Sequence, residues 1–170
     1  MSRVRIETAL GDIEVEVFEA QAPASAGYFL ADVRAGRCDG SSFFRIVTLS
    51  NQSVEKHRRI AVIQGGLRHE REDLAPVIAH ETTAMTGLKH LKETVSLARF
   101  APGAVYHSFF ICLRDEPVLD FGGARHPDGQ GFAAFGRVAE GFGVVQSIYA
   151  RAEQAEYLKN EIAIRRAAVA

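Results

Sequence analysis

Three side chains of complementary chemistry stand on three separate segments that the sequence predicts to be β-strands. They are Arg45, Gln64 and Phe110. Arginine offers a rigid fork of hydrogen-bond donors, glutamine offers both a donor and an acceptor, and phenylalanine offers an apolar wall. A few polar groups beside an apolar wall are typical of a pocket for a small ligand or a peptide. We therefore expect these three segments to meet in the folded chain.

The composition is that of one ordinary globular domain spanning residues 1–170. Of the 170 residues, 47% are hydrophobic and 24% are charged, so the chain is long enough to form its own core and disorder is not expected. The net charge is −1, with both signs scattered along the sequence. A nucleic-acid-binding protein would concentrate positive charge on one face, so we expect no nucleic-acid partner.

Several other classes of function find no support in the sequence. The N-terminus lacks the charged-then-apolar pattern of a signal peptide, and no run reaches the roughly 20 apolar residues of a membrane span. This pattern predicts a cytoplasmic protein with no membrane partner. Cys38 and Cys112 form no disulfide framework, and the six histidines show no repeated ligand spacing. Because the glycine motifs of phosphate-binding and dinucleotide-binding loops are also incomplete, we predict neither a metal nor a cofactor.

Most of the predicted elements are strands. Residues 3–18 alternate apolar and charged side chains around a Gly11-Asp12 turn, which predicts a hairpin. Pro23 begins a helix with one apolar stripe, for which Gly36 is a plausible end. The other predicted elements are strands over residues 42–48, 60–64, 94–100, 108–113 and 132–138, a short helix over 143–149, and a last strand around Ile162, Ile164 and Ala167.

Two long segments are expected to lack strands. Residues 67–93 are charged and should be irregular with at most a helical turn or two, and residues 114–130 should form an ordered loop because they are rich in glycine and proline. About eight strands and two helices then remain, without regular alternation between them. This arrangement favours a closed antiparallel barrel over a parallel α/β fold.

Several short motifs, taken together and in order, are similar to those of the cyclophilin-type peptidyl-prolyl cis-trans isomerases over nearly the whole chain. They comprise the early hairpin, the Pro23 helix, Gly40-Ser41-Ser42-Phe43-Phe44-Arg45, Gln64-Gly65-Gly66, Val95-Ser96-Leu97-Ala98-Arg99, Phe109-Phe110-Ile111-Cys112, Leu119-Asp120 and Phe135-Gly136-Arg137-Val138. The resemblance implies a mainly β fold, a closed eight-stranded antiparallel barrel capped by two α-helices, with the active groove on its outer surface.

The resemblance also implies roles for individual residues. Arg45 matches the catalytic arginine of the family, Gln64 matches the glutamine that holds the substrate backbone, and Phe110 matches the aromatic floor of the proline pocket. Substrate-binding positions of the family fall on Val62, Ala98, Arg99, Ser108, Leu119 and Phe132.

Other positions depart from the family pattern. Arg99 stands where Asn is usual, Ser108 where Gln is usual, Phe132 where His is common, Ala61 where a large aromatic residue lines the pocket, and Glu93 where Gly is common. Arg99 is either a groove residue or a salt-bridge partner, and the sequence leaves both open. The aligned position of a tryptophan found in many members is Val118, so an indole donor is missing and cyclosporin binding is expected to be weak.

Two hypotheses of different class follow. The first is an active prolyl isomerase that assists protein folding, supported by the intact Arg45, Gln64 and Phe110. The second is a module that binds proline peptides with weak or no catalysis, supported by the altered groove residues. We favour the first because the arginine that addresses the transition state is retained. The expected partners are proline-containing peptides and unfolded or flexible protein segments, and the protein is expected to be a monomer.

Overall fold

Alternation of apolar residues builds the barrel, as the sequence predicts. The computed structural model of the protein describes residues 1–68 and 75–170. Val4, Ile6, Ile13 and Val15 are all buried in the same core, because every second side chain of a strand faces one way. Over the described ranges, eight antiparallel strands close into a barrel: β1 (Ser2–Thr8), β2 (Gly11–Val17), β3 (Ser42–Val47), β4 (Val62–Gly66), β5 (Thr94–Arg99), β6 (Val105–Cys112), β7 (Ala134–Glu140) and β8 (Tyr157–Val169).

The strands follow one another around the barrel in an order different from that along the chain. The circuit is β1-β2-β7-β5-β6-β4-β3-β8, and β8 then pairs with β1 to close it. Strands β3, β4, β6 and β5 are therefore consecutive neighbours. Of the predicted catalytic and substrate-binding residues, only Leu119 and Phe132 lie outside these four strands. The predicted closed antiparallel barrel is confirmed.

Helices cover the barrel core. Helix α1 (Pro23–Arg34) inserts Phe29, whose ring lies 4.8 Å from that of Phe135, and helix α3 (Phe142–Tyr149) buries Val145 and Ile148. A third helix, α2 (Thr83–Thr86), is a single turn within the segment predicted to be irregular. The structure thus has three helices in the described ranges, against the two expected. The part of that irregular segment at 69–74 lies outside the described residues.

The boundaries of several strands differ from the prediction for a physical reason. Strand β8 begins five residues before the first predicted position, Ile162, and strand β6 begins at Val105 rather than Ser108. The pairing register shifts along β8, so that its buried residues do not follow strict alternation. A pattern of period two is therefore lost in the sequence even though the strand continues.

No described helix has the length and apolar character needed to cross a bilayer.

Glu93, in the turn that leads into β5, adopts a strained backbone conformation. Its φ is +78°, and among the described non-glycine residues it alone has a positive φ. The conformation is held because its N–H donates to Cys112 O at 2.9 Å and its C=O accepts from Val138 N–H at 2.9 Å. Glycine is common at this position in the family that the sequence resembles. The structure shows that the turn keeps the conformation suited to glycine, although a side chain is present.

We predict that Glu93→Gly raises the free energy of unfolding by about 1 kcal/mol, because it removes the clash of a Cβ in left-handed backbone. Chemical denaturation of both proteins measures the difference. Glu93→Ala is the matched control, since it removes the carboxylate but keeps the Cβ. Equal stabilisation by alanine and glycine would show that the side chain, and not the backbone, causes the strain.

Candidate active site

A bulge in β3 turns Arg45 to the outer face of the barrel. Phe43 pairs with Gly65 of β4 and Arg45 pairs with Gln64, so Phe44 is an extra residue without a partner in β4. Phe43 and Ile46 consequently both face the barrel core although they are three residues apart. Arg45 lies between them on the outside.

The three residues singled out in the sequence lie in one row across neighbouring strands. Arg45 is paired with Gln64, Gln64 with Phe110 of β6, and Phe110 with Ser96 of β5. Side chains directly opposite each other on one face of a sheet are close enough to interact. The expectation that the three segments meet is therefore confirmed. Phe109, next to Phe110, instead faces the barrel core.

The Arg45 guanidinium is held by two of its three nitrogens. Its Nη1 donates to Gln64 Oε1 at 3.1 Å, and its Nη2 donates to Glu156 Oε1 at 2.7 Å. The guanidinium also lies 5.3 Å from the centre of the Tyr157 ring. Its Nε is buried and has no hydrogen-bond partner among the described residues. These contacts fix the orientation of the positive charge at the pocket while leaving one donor unsatisfied.

Gln64 is at the centre of a hydrogen-bond network. Its Nε2 donates to the hydroxyls of Tyr106, at 3.0 Å, and Ser108, at 2.9 Å. Both amide hydrogens are therefore used, and the amide oxygen accepts from Arg45. Ser108, predicted to bind substrate, is only 3% exposed and donates to Gly65 O at 3.0 Å. It lies behind Gln64, whose amide it accepts from, and is not among the residues that line the pocket.

The pocket itself is mostly apolar. Its cavity has a volume of about 180 Å³. Of the predicted residues, those that line it are Arg45, Val62, Gln64, Ala98, Arg99, Phe110, Leu119 and Phe132. Several of the apolar ones, together with Ile60, form a small cluster on the outside of the barrel that is separate from the main core. An apolar pocket with a few convergent polar groups is the usual form of a binding site.

Phe110 is held between two other rings. The edge of the Phe132 ring faces it with centroids 5.7 Å apart, and the buried His90 ring stacks behind it at 6.0 Å. His90 Nδ1 lies 2.8 Å from Asp120 Oδ1 and its Nε2 lies 2.9 Å from Ser96 Oγ. Burial lowers the pKa of His90 although Asp120 opposes this effect, so the imidazole is neutral at pH 7. The floor of the pocket therefore rests on an ordered polar network.

Arg99 fulfils both of the roles left open by the sequence. It lines the pocket, with its guanidinium 4.6 Å from the centre of the Phe132 ring. It also forms a bidentate pair with Asp128, with both N–O distances 3.0 Å, and donates to Gly131 O and Phe100 O. All three of its nitrogens are engaged. Arg99 therefore fastens the loop before β7 to the pocket wall.

The sequence missed four residues that line the pocket. They are Ile60, Tyr106, Arg125 and His126. Two of them, Arg125 and His126, lie in the loop predicted over 114–130, where composition indicates a loop but not where its side chains point. Tyr106 was missed because β6 was predicted to begin at Ser108, two residues after Tyr106. By contrast Ala61, taken as a pocket position, does not line the cavity, and its N–H donates to the Glu116 carboxylate.

The described residues form no site for a metal ion, since no group of three or more His, Cys, Asp or Glu side chains comes together in them. Cys38 and Cys112 are both free and buried. Burial raises the pKa of the Cys38 thiol to about 12, and the pKa of Cys112 is also raised by burial. Neither is therefore a reactive thiolate at neutral pH.

Comparison with known proteins agrees with this geometry. The sequence model of the family described as "Cyclophilin type peptidyl-prolyl cis-trans isomerase/CLD" matches residues 3–169. Peptidyl-prolyl cis-trans isomerase cyp18 of Streptomyces antibioticus is 35% identical over 153 residues, covering 87% of this chain and 83% of that protein. Peptidyl-prolyl cis-trans isomerase B of Escherichia coli K12 is 28% identical over 146 residues, covering 85% and 82%.

The solved structures support the same fold. A cyclophilin-type peptidyl-prolyl cis-trans isomerase of Cryptosporidium parvum, crystallised in the presence of the dipeptide Ala-Pro, superposes with a TM-score of 0.74. The superposition covers 99% of this chain and 98% of that one at 20% identity. From the match over residues 3–169, with the relatives and the barrel in agreement, the chain belongs to the cyclophilin-type peptidyl-prolyl cis-trans isomerase family.

Proposed function

We propose that the pocket on the outer face of β3, β4, β6 and β5 is the active site of a peptidyl-prolyl cis-trans isomerase. The observation that carries the proposal is an arginine with a fixed guanidinium, Arg45, in the wall of an apolar pocket whose floor is Phe110. Rotation about an Xaa–Pro bond requires no nucleophile and no metal. It requires a site that binds the twisted amide more tightly than either planar isomer.

The proposed chemistry follows from the loss of amide resonance. The barrier to rotation is about 18–20 kcal/mol, because the C–N bond has partial double-bond character. In the twisted state the prolyl nitrogen becomes pyramidal and gains a lone pair. The Arg45 guanidinium donates a hydrogen bond to that lone pair. Since Gln64 and Glu156 already orient the guanidinium, little reorganisation is needed during the reaction.

The apolar residues of the pocket hold the proline ring. Phe110, Val62, Leu119 and Phe132 provide the floor and walls, and the small Ala98 leaves room beside them. Burial of the ring supplies binding energy, while its fixed position leaves the peptide bond beside Arg45. The rate would then come from positioning and electrostatics alone.

Tyr106 supplies a donor for the substrate backbone that the sequence did not indicate. The resemblance assigns this role to Gln64, but both N–H groups of Gln64 already donate to protein hydroxyls. Tyr106 accepts one of these bonds and lines the pocket, and its own O–H donates to no partner among residues 1–68 and 75–170. It can therefore donate to a peptide carbonyl. Burial raises the pKa of Tyr106, and the hydroxyl therefore keeps its proton. We propose that Gln64 positions Arg45 and Tyr106, and that Tyr106 contacts the substrate.

A proline-peptide binding module with little catalysis is the second candidate. Its support was the set of altered residues in the groove. In the structure, Arg99 is used to fasten a loop and Ser108 to hold Gln64, so both support the pocket from within. Gln64, which accepts from Arg45, is not among the altered positions. This favours the isomerase over the binding module.

The wider biological role is proposed on the same basis. An isomerase of this kind acts on proline-containing peptides and on unfolded or flexible segments, and so assists protein folding. We propose that it does so in the cytoplasm as a monomer, without a cofactor, a nucleic acid or a membrane as partner.

Replacing Arg45 by Ala should lower the catalysed rate about hundredfold or more, because the donor that stabilises the twisted amide is lost. Exchange spectroscopy by NMR on an Xaa-Pro peptide, with and without enzyme, measures this rate directly. Arg166→Gln, on β8, serves as a control for the loss of one positive charge. If the unaltered protein binds the peptide but does not speed exchange, the isomerase is excluded and the binding module stands.

Tyr106→Phe should lower kcat/KM about five- to tenfold, because one hydrogen bond to the substrate is lost. The ring contact with Phe100, whose centroid lies 4.7 Å away, is kept in this variant. Tyr149→Phe removes a hydroxyl from α3, outside the pocket, and is the matched control. A value for Tyr106→Phe equal to that of the control would show that the hydroxyl does not contact the substrate.

Cyclosporin should bind weakly, because Val118 offers no N–H donor at the position of the family's tryptophan. Isothermal titration calorimetry measures the affinity. Val118→Trp should strengthen it, since the indole restores the donor. Tight binding by the unaltered protein would contradict the prediction.

A further inference from the structure

Three arginines line the pocket, and their hydrogen-bond donors are used to different extents. Arg45 donates from Nη1 and Nη2, and its Nε is buried. Arg99 donates from all three nitrogens. Arg125 is different, because within the described part of the chain only its Nη1 has partners, Gln52 Oε1 at 2.7 Å and Arg58 O at 3.2 Å.

The open edge of Arg125 has the shape of a carboxylate site. Its Nε and Nη2 have no hydrogen-bond partner among the described residues, and neither is fully buried, because Arg45 Nε is the one described side-chain N or O atom that is buried without a partner. The N–H groups on Nε and Nη2 point to the same side of a guanidinium. They form the fork that binds a carboxylate with two parallel hydrogen bonds.

The charge of Arg125 is not neutralised by a contact within the described structure. Both acceptors of its Nη1 are neutral. The two carboxylates that act on it are already engaged, Glu156 by Arg45 and Glu116 by Ala61 N–H and Arg114. Burial lowers the pKa of Arg125, and the guanidinium of Arg45 adds to this effect. An anion bound between these two arginines would reduce both the cost of burying the Arg125 charge and its repulsion by Arg45.

The position of Arg125 is fixed before any ligand binds. Its backbone N–H donates to Val118 O at 3.1 Å. Arg58 donates from Nη2 to Arg125 O at 3.0 Å and from Nε to Ala124 O at 2.8 Å. A donor group held in this way loses little conformational entropy when it binds.

We propose that Arg125 recognises the side-chain carboxylate of a residue next to the proline, so that the enzyme prefers Glu-Pro, Asp-Pro, Pro-Glu or Pro-Asp sequences. Proximity to the proline follows because Arg125 and Arg45 line the same small cavity. The inference rests on the proposed isomerase function and names the class of substrate that this site favours.

The test compares peptides that differ by one isosteric change. Peptides blocked at both ends carry Glu or Gln immediately before proline, and a second pair carries them immediately after it. We expect kcat/KM for one of the Glu peptides to exceed that of its Gln partner about five- to tenfold at low salt. This ratio should fall as the salt concentration rises, because a partly exposed ion pair is screened. A further peptide has no charged side chain but carries a free C-terminal carboxylate after proline. A higher kcat/KM for this peptide alone would show that the site binds a chain terminus and not a side chain.

Variants assign the preference to Arg125. In Arg125→Gln the Glu-to-Gln ratio should fall to about one, and in Arg125→Lys it should be intermediate, since lysine keeps the charge but lacks the fork. Arg166→Gln, which removes the same charge from β8, should keep the full ratio. Because each Glu-to-Gln ratio of kcat/KM is measured within one protein, a general loss of activity in a variant does not change the ratio.

The possible failures are distinguishable. If no peptide is isomerised faster than in buffer, the proposed function itself fails. Equal rates for all Glu and Gln pairs in an active enzyme overturn the role of Arg125 alone. The role is also overturned if only the peptide with a free C-terminus gains, or if Arg125→Gln keeps the full ratio.

Discussion

The site depends on a single extra residue in β3. Phe44 has no partner in β4, and the bulge it creates allows Phe43 and Ile46 to face the core while Arg45 faces outwards, opposite Gln64. Without it, Arg45 and Ile46 would exchange faces, because a shift of one residue turns every side chain of a strand over. The row of Arg45, Gln64 and Phe110 across three strands is a consequence of this register.

A closed barrel normally keeps its apolar residues inside. Here a second apolar cluster lies on the outside, where the loop before β7 folds back over β4 and β6. That loop is fastened by polar contacts, with Arg99 bound to Asp128 and His90 bound to Asp120. The walls of the pocket are thus tied to β5, by Arg99 directly and by His90 through Ser96. Such support is what a site needs when it works by positioning.

Sequence reasoning predicted the barrel, the row of three residues and most of the apolar wall, because these depend on alternation along strands and on the motifs of the family. It did not predict which loop side chains reach the cavity. Arg125 and His126 lie in a segment without periodicity, where composition alone gives no direction. Ser108 was placed in the groove by analogy, but its position is set by a hydrogen bond to Gln64 that is visible only in three dimensions.

The central claim is that Arg45 acts on a proline bound against Phe110. A crystal structure with a blocked Ala-Pro peptide tests it most directly. We predict the proline ring on Phe110, inside the cavity, with the Arg45 guanidinium within hydrogen-bonding reach of the prolyl amide. A peptide bound elsewhere on the barrel, or one whose amide lies away from Arg45, would contradict it.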